Sequence, residues 1–199
     1  MRWFGPSKEE IWRQLAQEIS ADFVDGGFWK RDRVEARHQA WTLVLDTYVV
    51  SSGKHTVTYT RLRAPYVNQD GFRFTIYQHN IFNDIGKFFG MQDVTVGHPE
   101  FDRDFVIQGN DEGKLKALFA NPTLRELIRT QPDIHLQVKN DNGFWEADFP
   151  EGVDQLYFRA YGVIKDLETL RSLYLLFAET LNELCRLGSA YESDPNVSV

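Results

Sequence analysis

Arginines and tyrosines set two residues apart are the sharpest chemical pattern in this chain. Tyr59, Arg61 and Arg63 alternate through Tyr59-Thr60-Arg61-Leu62-Arg63, Tyr66 lies just beyond, and Arg73 and Tyr77 follow in the next alternating segment. Side chains two apart on an extended backbone share a face. Guanidinium groups beside tyrosines hold carboxylates or phosphates through forked hydrogen bonds and stack on flat groups. The spacing therefore predicts a binding face made of Tyr59, Arg61, Arg63, Arg73 and Tyr77. Cross-strand packing of long side chains on a solvated sheet face would use the same residues.

A second constellation is His98-Pro99-Glu100-Phe101-Asp102-Arg103-Asp104. His98, Glu100, Asp102 and Asp104 offer clustered oxygen and nitrogen donors of the kind hard cations take, which makes them the candidate metal or acid–base site. The EF-hand pattern is absent, because the glycine and the bidentate glutamate at its fixed positions are missing. If 102–106 is extended, Asp102 and Asp104 share a face and Arg103 points opposite. An exposed turn entering a strand accounts for the same acids, which are usually a solvated face.

Other chemistries find little support. The histidines at 38, 55, 79, 98 and 135 show neither i, i+4 spacing nor the short strand spacing of a zinc site. His135 alternates with Ile134 and Leu136 and projects from the polar side of a sheet. Cys185 falls in the last turn of a helix, where the dipole disfavours thiolate, and reads as a core thiol. The nucleophile-elbow G-x-S-x-G and the phosphate-cradling G-x-x-x-x-G-K-[ST] and G-x-G-x-x-G patterns are missing. No cofactor is expected.

These residues need elements to carry them. Ser7-Lys8-Glu9-Glu10 fits a capping box opening an amphipathic helix over 8–20. From 33 to 78 the period switches to two: Val34 and Ala36, then Trp41 through Val49, then a return strand from His55, then Phe72, Phe74 and Ile76. Ser51–Lys54 and Asn68–Gly71 supply turns, so the strands are expected to pair as hairpins in a meander. Pro65 ends the 54–64 strand or marks it as an edge, since proline cannot donate to a ladder. Residues 80–90 show helical spacing, with Ile81, Phe82, Ile85, Phe88 and Phe89 on one face against the core. A strand within 103–108, a helix capped by Asn110, and a helix beginning at Asn121-Pro122 follow. Strands across 134–138, 144–148 and 154–164 come next, then a helix capped by Asp166 that runs to about 187 before Gly188.

Clustered strands followed by helices predict an α+β fold rather than a doubly wound parallel sheet. The outline is an antiparallel meander sheet with helices packed on it and a long C-terminal helix, as in helix-grip and TATA-binding-protein-like (TBP-like) folds. One domain over 1–191 is expected, with lobes near 1–90 and 91–191 as a finer division, and a flexible tail over 192–199.

Composition narrows the partners. The 199 residues are 42% hydrophobic and carry a net charge of −7, yet residues 28–78 hold eight Lys and Arg against four Asp and Glu. That segment is +4 and the remainder −11. Net acidity disfavours nucleic acid, whose affinity rests on phosphate neutralisation, while a local anion site remains open to the basic segment. A single cysteine excludes a disulfide framework. No apolar run is long enough for a membrane span. The polar helix after Met1–Pro6 is unlike a signal peptide, so a cytoplasmic location is expected.

Phe88-Phe89-Gly90-Met91-Gln92-Asp93 followed by His98–Phe105, the spacing from Phe101 through Asp111 to Leu118-Phe119, and Ile134–Val138 with the last helix resemble an uncharacterised bacterial protein family. Tyr59–Tyr66 is similar to it as well. The resemblance spans roughly 88–187 and implies no activity and no functional residues. Three functions compete. A non-catalytic binding or interaction module for an anionic small molecule, an acidic peptide or another protein partner comes first. A metal-dependent or hydrolytic enzyme using His98, Glu100, Asp102 and Asp104 is the second. The third is a structural homo-oligomer pairing through the long strands at 41–64.

Overall fold

The computed structural model describes residues 5–27, 31–79, 92–140 and 149–197. Ten antiparallel strands form one sheet: β1(Asp22–Val24), β2(Arg33–His38), β3(Trp41–Ser52), β4(His55–Asn68), β5(Phe74–Gln78), β6(Gln92–Asp93), β7(Phe105–Gly109), β8(His135–Lys139), β9(Val153–Tyr161) and β10(Ala190–Tyr191). The helices are α1(Lys8–Glu18), α2(Pro99–Asp104), α3(Glu112–Phe119), α4(Pro122–Arg129) and α5(Leu167–Arg186). The fold class is α+β, as the clustering of strands requires.

Caps fix the helices where the sequence places them. Ser7 and Glu10 close a reciprocal capping box on α1, Asn121 precedes the proline that opens α4, and Asp166 accepts from the Thr169 N–H at the start of α5. Gly188 takes a φ of 72° just past the end of α5, a conformation that favours glycine. One cap moves: α3 starts from Asp111, while the Asn110 side chain instead bridges the Arg73 N–H and the Gly71 carbonyl.

The sheet runs in the order β1-β2-β3-β4-β9-β8-β5-β7-β6, and β10 joins the open side of β4. β1 to β4 are the expected meander. The next step departs from it, because β9 and β8 lie between β4 and β5, so the turn at 68–71 is a corner rather than a hairpin. Asn68 Oδ1 accepts from the backbone of Asp70 and Gly71, and its Nδ2 holds the Phe72 carbonyl and Asp154. These bonds lead the chain away while β4 spends its edge on the longer strand β9, from Tyr59↔Tyr161 to Val67↔Val153.

Pro65 stays inside β4. Asn68 donates to the Gly152 carbonyl on the β9 side, and antiparallel alternation turns the Pro65 nitrogen to the other side. There β3 has ended opposite Arg63 and β10 begins only opposite Val67, so the missing donor falls in a gap. Helical and sheet residues then share one apolar core. Trp12, Leu15, Leu173, Phe177 and Leu181 pack on Leu43, Leu62, Ala64, Leu156 and Phe158, and Trp12 Nε1 donates to the Ile164 carbonyl at 3.1 Å. The expected helix over 80–90 and strand over 144–148 lie outside the described residues.

Candidate functional site

Alternation along β4 sends Leu62, Ala64 and Tyr66 into the helix-covered core and Tyr59, Arg61 and Arg63 to the opposite face. Pairing extends that second set across the sheet in rows. One is Tyr48–Tyr59–Tyr161, the next Asp46–Arg61–Arg159–His135–Tyr77, and the third Arg63–Tyr157–Gln137–Thr75. The face is polar and aromatic, yet Tyr59, Arg63, Thr75, Tyr77, His135, Gln137 and Tyr157 are all buried. Thr75 Oγ1 and Gln137 Oε1, from directly paired positions, have no hydrogen-bond partner among the described residues.

Asp46 organises two of the predicted arginines. Arg61 grips it with both arms of its fork, Nε to Oδ1 and Nη2 to Oδ2 at 2.7 Å each, and Arg63 Nη2 reaches Oδ2 at 3.0 Å. Arg73 does not join them. It forks onto Asp154 at 2.9 and 3.0 Å, and Asp154 shares the helix-side register of Leu156 and Phe158. Four of the five predicted residues, Tyr59, Arg61, Arg63 and Tyr77, therefore lie on one face, and Arg73 belongs to a separate ion pair.

The residue that sequence reading missed is Arg159. Its Nε donates to His135 Nδ1 at 2.9 Å, its guanidinium lies 5.5 Å from the centre of the Tyr59 ring, and the Tyr48 hydroxyl is a further hydrogen-bond partner. All of these partners are uncharged, although the group is only half-exposed. Burial, reinforced by the charges of Arg159 and Lys139, lowers the His135 pKa to about 3, so the ring is neutral and its Nδ1 free to accept. Burial, aided by Tyr48, pushes the Tyr157 hydroxyl well above the ordinary phenol range, and it donates to the Tyr48 hydroxyl at 3.3 Å. Tyr59 stacks on Tyr48 at 5.1 Å and meets Tyr161 at 4.9 Å, forming an aromatic wall. A cavity of about 10 Å³, the size of one water oxygen, sits among Tyr59, Asp133, His135, Arg159, Ala160 and Tyr161. The signal was present: Tyr157-Phe158-Arg159-Ala160-Tyr161 repeats the two-residue tyrosine–arginine alternation of β4.

The acidic candidate resolves differently. Residues 99–104 are helical rather than extended, with Pro99 in the first turn and the Asp102 N–H bonded to the His98 carbonyl. Helical geometry turns Asp102 and Asp104 roughly 200° apart instead of onto one face. Asp102 is spent on three backbone N–H groups, those of Val96, Gly97 and His98 at 2.8–3.0 Å. Asp104 meets Arg103, Glu100 lies 3.8 Å from Arg129, and His98 contacts Arg125. No group of three or more His, Cys, Asp or Glu side chains among the described residues is placed to hold a metal ion. An open groove of about 510 Å³ beside α2 is lined by Gln78, His79, Arg103, Asp104, Phe105 and Arg129.

The class so defined is an α+β protein whose antiparallel sheet carries helices on one face and a polar, arginine-rich surface on the other. No protein-family model matches the chain, and no curated protein matches it. Among solved structures it is similar to the crystal structure of the mycobacterial trehalose monomycolate transport factor A, TtfA. The TM-score is 0.52 at 7% identity, covering 89% of this chain and 94% of that one, a likeness of fold. No helix among the described residues is long and apolar enough to cross a membrane.

Proposed function

We propose that this chain is a non-catalytic binding module whose polar sheet face takes an anionic small molecule or the acidic side chain of a peptide, with Arg159 as the anchor. The carrying observation is a half-buried guanidinium whose partners among the described residues are all neutral. Desolvating a charge without an opposite charge is costly, and a ligand carboxylate or phosphate would recover that cost. The adjoining strands add Arg61, Arg63 and Lys139 against Asp46, so the centre of the face holds surplus positive charge in a chain of net charge −7. The small cavity would admit one ligand oxygen, with the Tyr48–Tyr59–Tyr161 wall beside it. A binding role accords with the neighbouring structure's being named a transport factor. The cytoplasm, and membership of an uncharacterised bacterial family, are the accompanying proposals from the sequence.

Thermal unfolding of the full chain with inorganic phosphate, citrate or a glutamate-rich peptide tests the reading. A ligand present at one hundred times its Kd adds about 2.7 kcal/mol, which for a chain of this size raises Tm by roughly 5–10 °C. Arg159→Ala should abolish the rise. If none of the three probes shifts Tm, or the shift survives Arg159→Ala, the proposal fails.

A further inference from the structure

The β3–β4 hairpin outruns the rest of the sheet. β2 pairs with β3 only between Trp41 and Leu45, and β9 pairs with β4 only from Tyr59 onward. β3 and β4 nevertheless stay paired with each other out to Ser52 and His55. A bare two-stranded ribbon is marginal in water, and here it exposes Val49 (42%) and Val50 (45%) on opposite faces.

The outer edge of β3 is the open one. The Thr47 carbonyl points outward and accepts from Arg31 Nη1 at 2.9 Å. Alternation then turns the backbone groups of Val49 and Ser51 outward too, and no strand pairs with them there among the described residues. Proteins usually blunt such an edge with lysine, proline or a bulge. From Thr47 to Ser52 this edge has neither charge nor proline, and Lys54 is the single charged residue between 47 and 58.

We infer that this edge pairs with the same edge of a second copy, giving a two-fold antiparallel dimer with Val50 on the axis. Charge favours a second copy at this place: the chain carries −7 overall, and the ribbon is where two copies meet with the least like-charge repulsion. Geometry selects the register. Centring on Val50 sets Val49 opposite Ser51 of the other copy, both with outward backbone groups, and keeps Thr47 with Arg31. Centring on Val49 would set Thr47 opposite Ser51 and displace that bond. In the chosen register Val50 meets its symmetry mate at a non-hydrogen-bonded position, about 4.5 Å between Cα atoms, and both valines are covered. The inference is independent of the anion site.

Light scattering over a concentration series should show a monomer–dimer equilibrium of the full chain. Val49→Pro removes an N–H that points away from β4, so it should raise the dimer Kd at least tenfold with circular dichroism unchanged. In a Cys185→Ala background, Val50→Cys should give a disulfide-linked dimer with oxidised glutathione, since the separation suits a disulfide, whereas Val49→Cys should not. A chain monomeric at every concentration overturns the inference. So does a dimer that withstands Val49→Pro, or one that cross-links through Val49→Cys rather than Val50→Cys.

Discussion

Asp46 decides what two guanidinium groups can do. With its side chain only 12% exposed, it neutralises Arg61 and Arg63 together. Asp46→Ala should cost about 3–5 kcal/mol in denaturant unfolding, because it strands buried charge rather than merely deleting a contact. The sequence shows the Tyr59-Arg61-Arg63 alternation openly, but Asp46 comes 15 residues earlier on another strand, and no local spacing announces the pair. Arg73 misleads for a related reason: its partner, Asp154, arrives 81 residues later. Asp133 lies on the rim of the cavity beside Arg159 and repels an incoming anion, so Asp133→Asn should increase the phosphate-induced rise in Tm. His135 gives a pH signature. Its folded pKa, about 3, lies below the ordinary 6.5, so the stability tied to its neutral form is complete above about pH 6.5 and drains away as pH falls toward 3. A stability profile of His135→Gln against the parent chain should show a weaker acid limb in that window.

Elements were legible in proportion to how local their causes are. The capping box of α1 and the proline after Asn121 act within four residues, and both helices begin where those residues place them. The strand β5 was visible in Phe74 and Ile76, but its neighbours were not, since alternation fixes a face and never a partner. The short strands β1, β6 and β10 carry too few residues for a period to register. Close packing supplies two tests. A Cβ on Gly109 would stand 2.7 Å from Leu115 Cδ1 and 3.0 Å from the Arg73 carbonyl oxygen, so Gly109→Ala should lose about 1–3 kcal/mol in urea unfolding. Trp12 is fully buried beneath α5 and β9 residues, and Trp12→Ala should lose about 3–5 kcal/mol.

Across the whole molecule, one apolar cluster joins Trp12 on α1, Leu43 on β3, Phe74 on β5, Ile107 on β7, Leu136 on β8 and Leu181 on α5. A continuous core of this kind predicts cooperative loss: tryptophan fluorescence and far-ultraviolet circular dichroism should report coincident transitions. The pairing of β4 with β9 also bears on how the chain is made. Thr60 and Gly162, bonded to each other, are 102 positions apart. A ribosome delivering the chain from its amino end therefore releases the meander long before the strand and the helix that shelter Leu62 have left the exit tunnel. For that interval the valine-bearing ribbon and the unfinished side of β4 are both bare, and a holdase chaperone that grips extended apolar chain would find its target there.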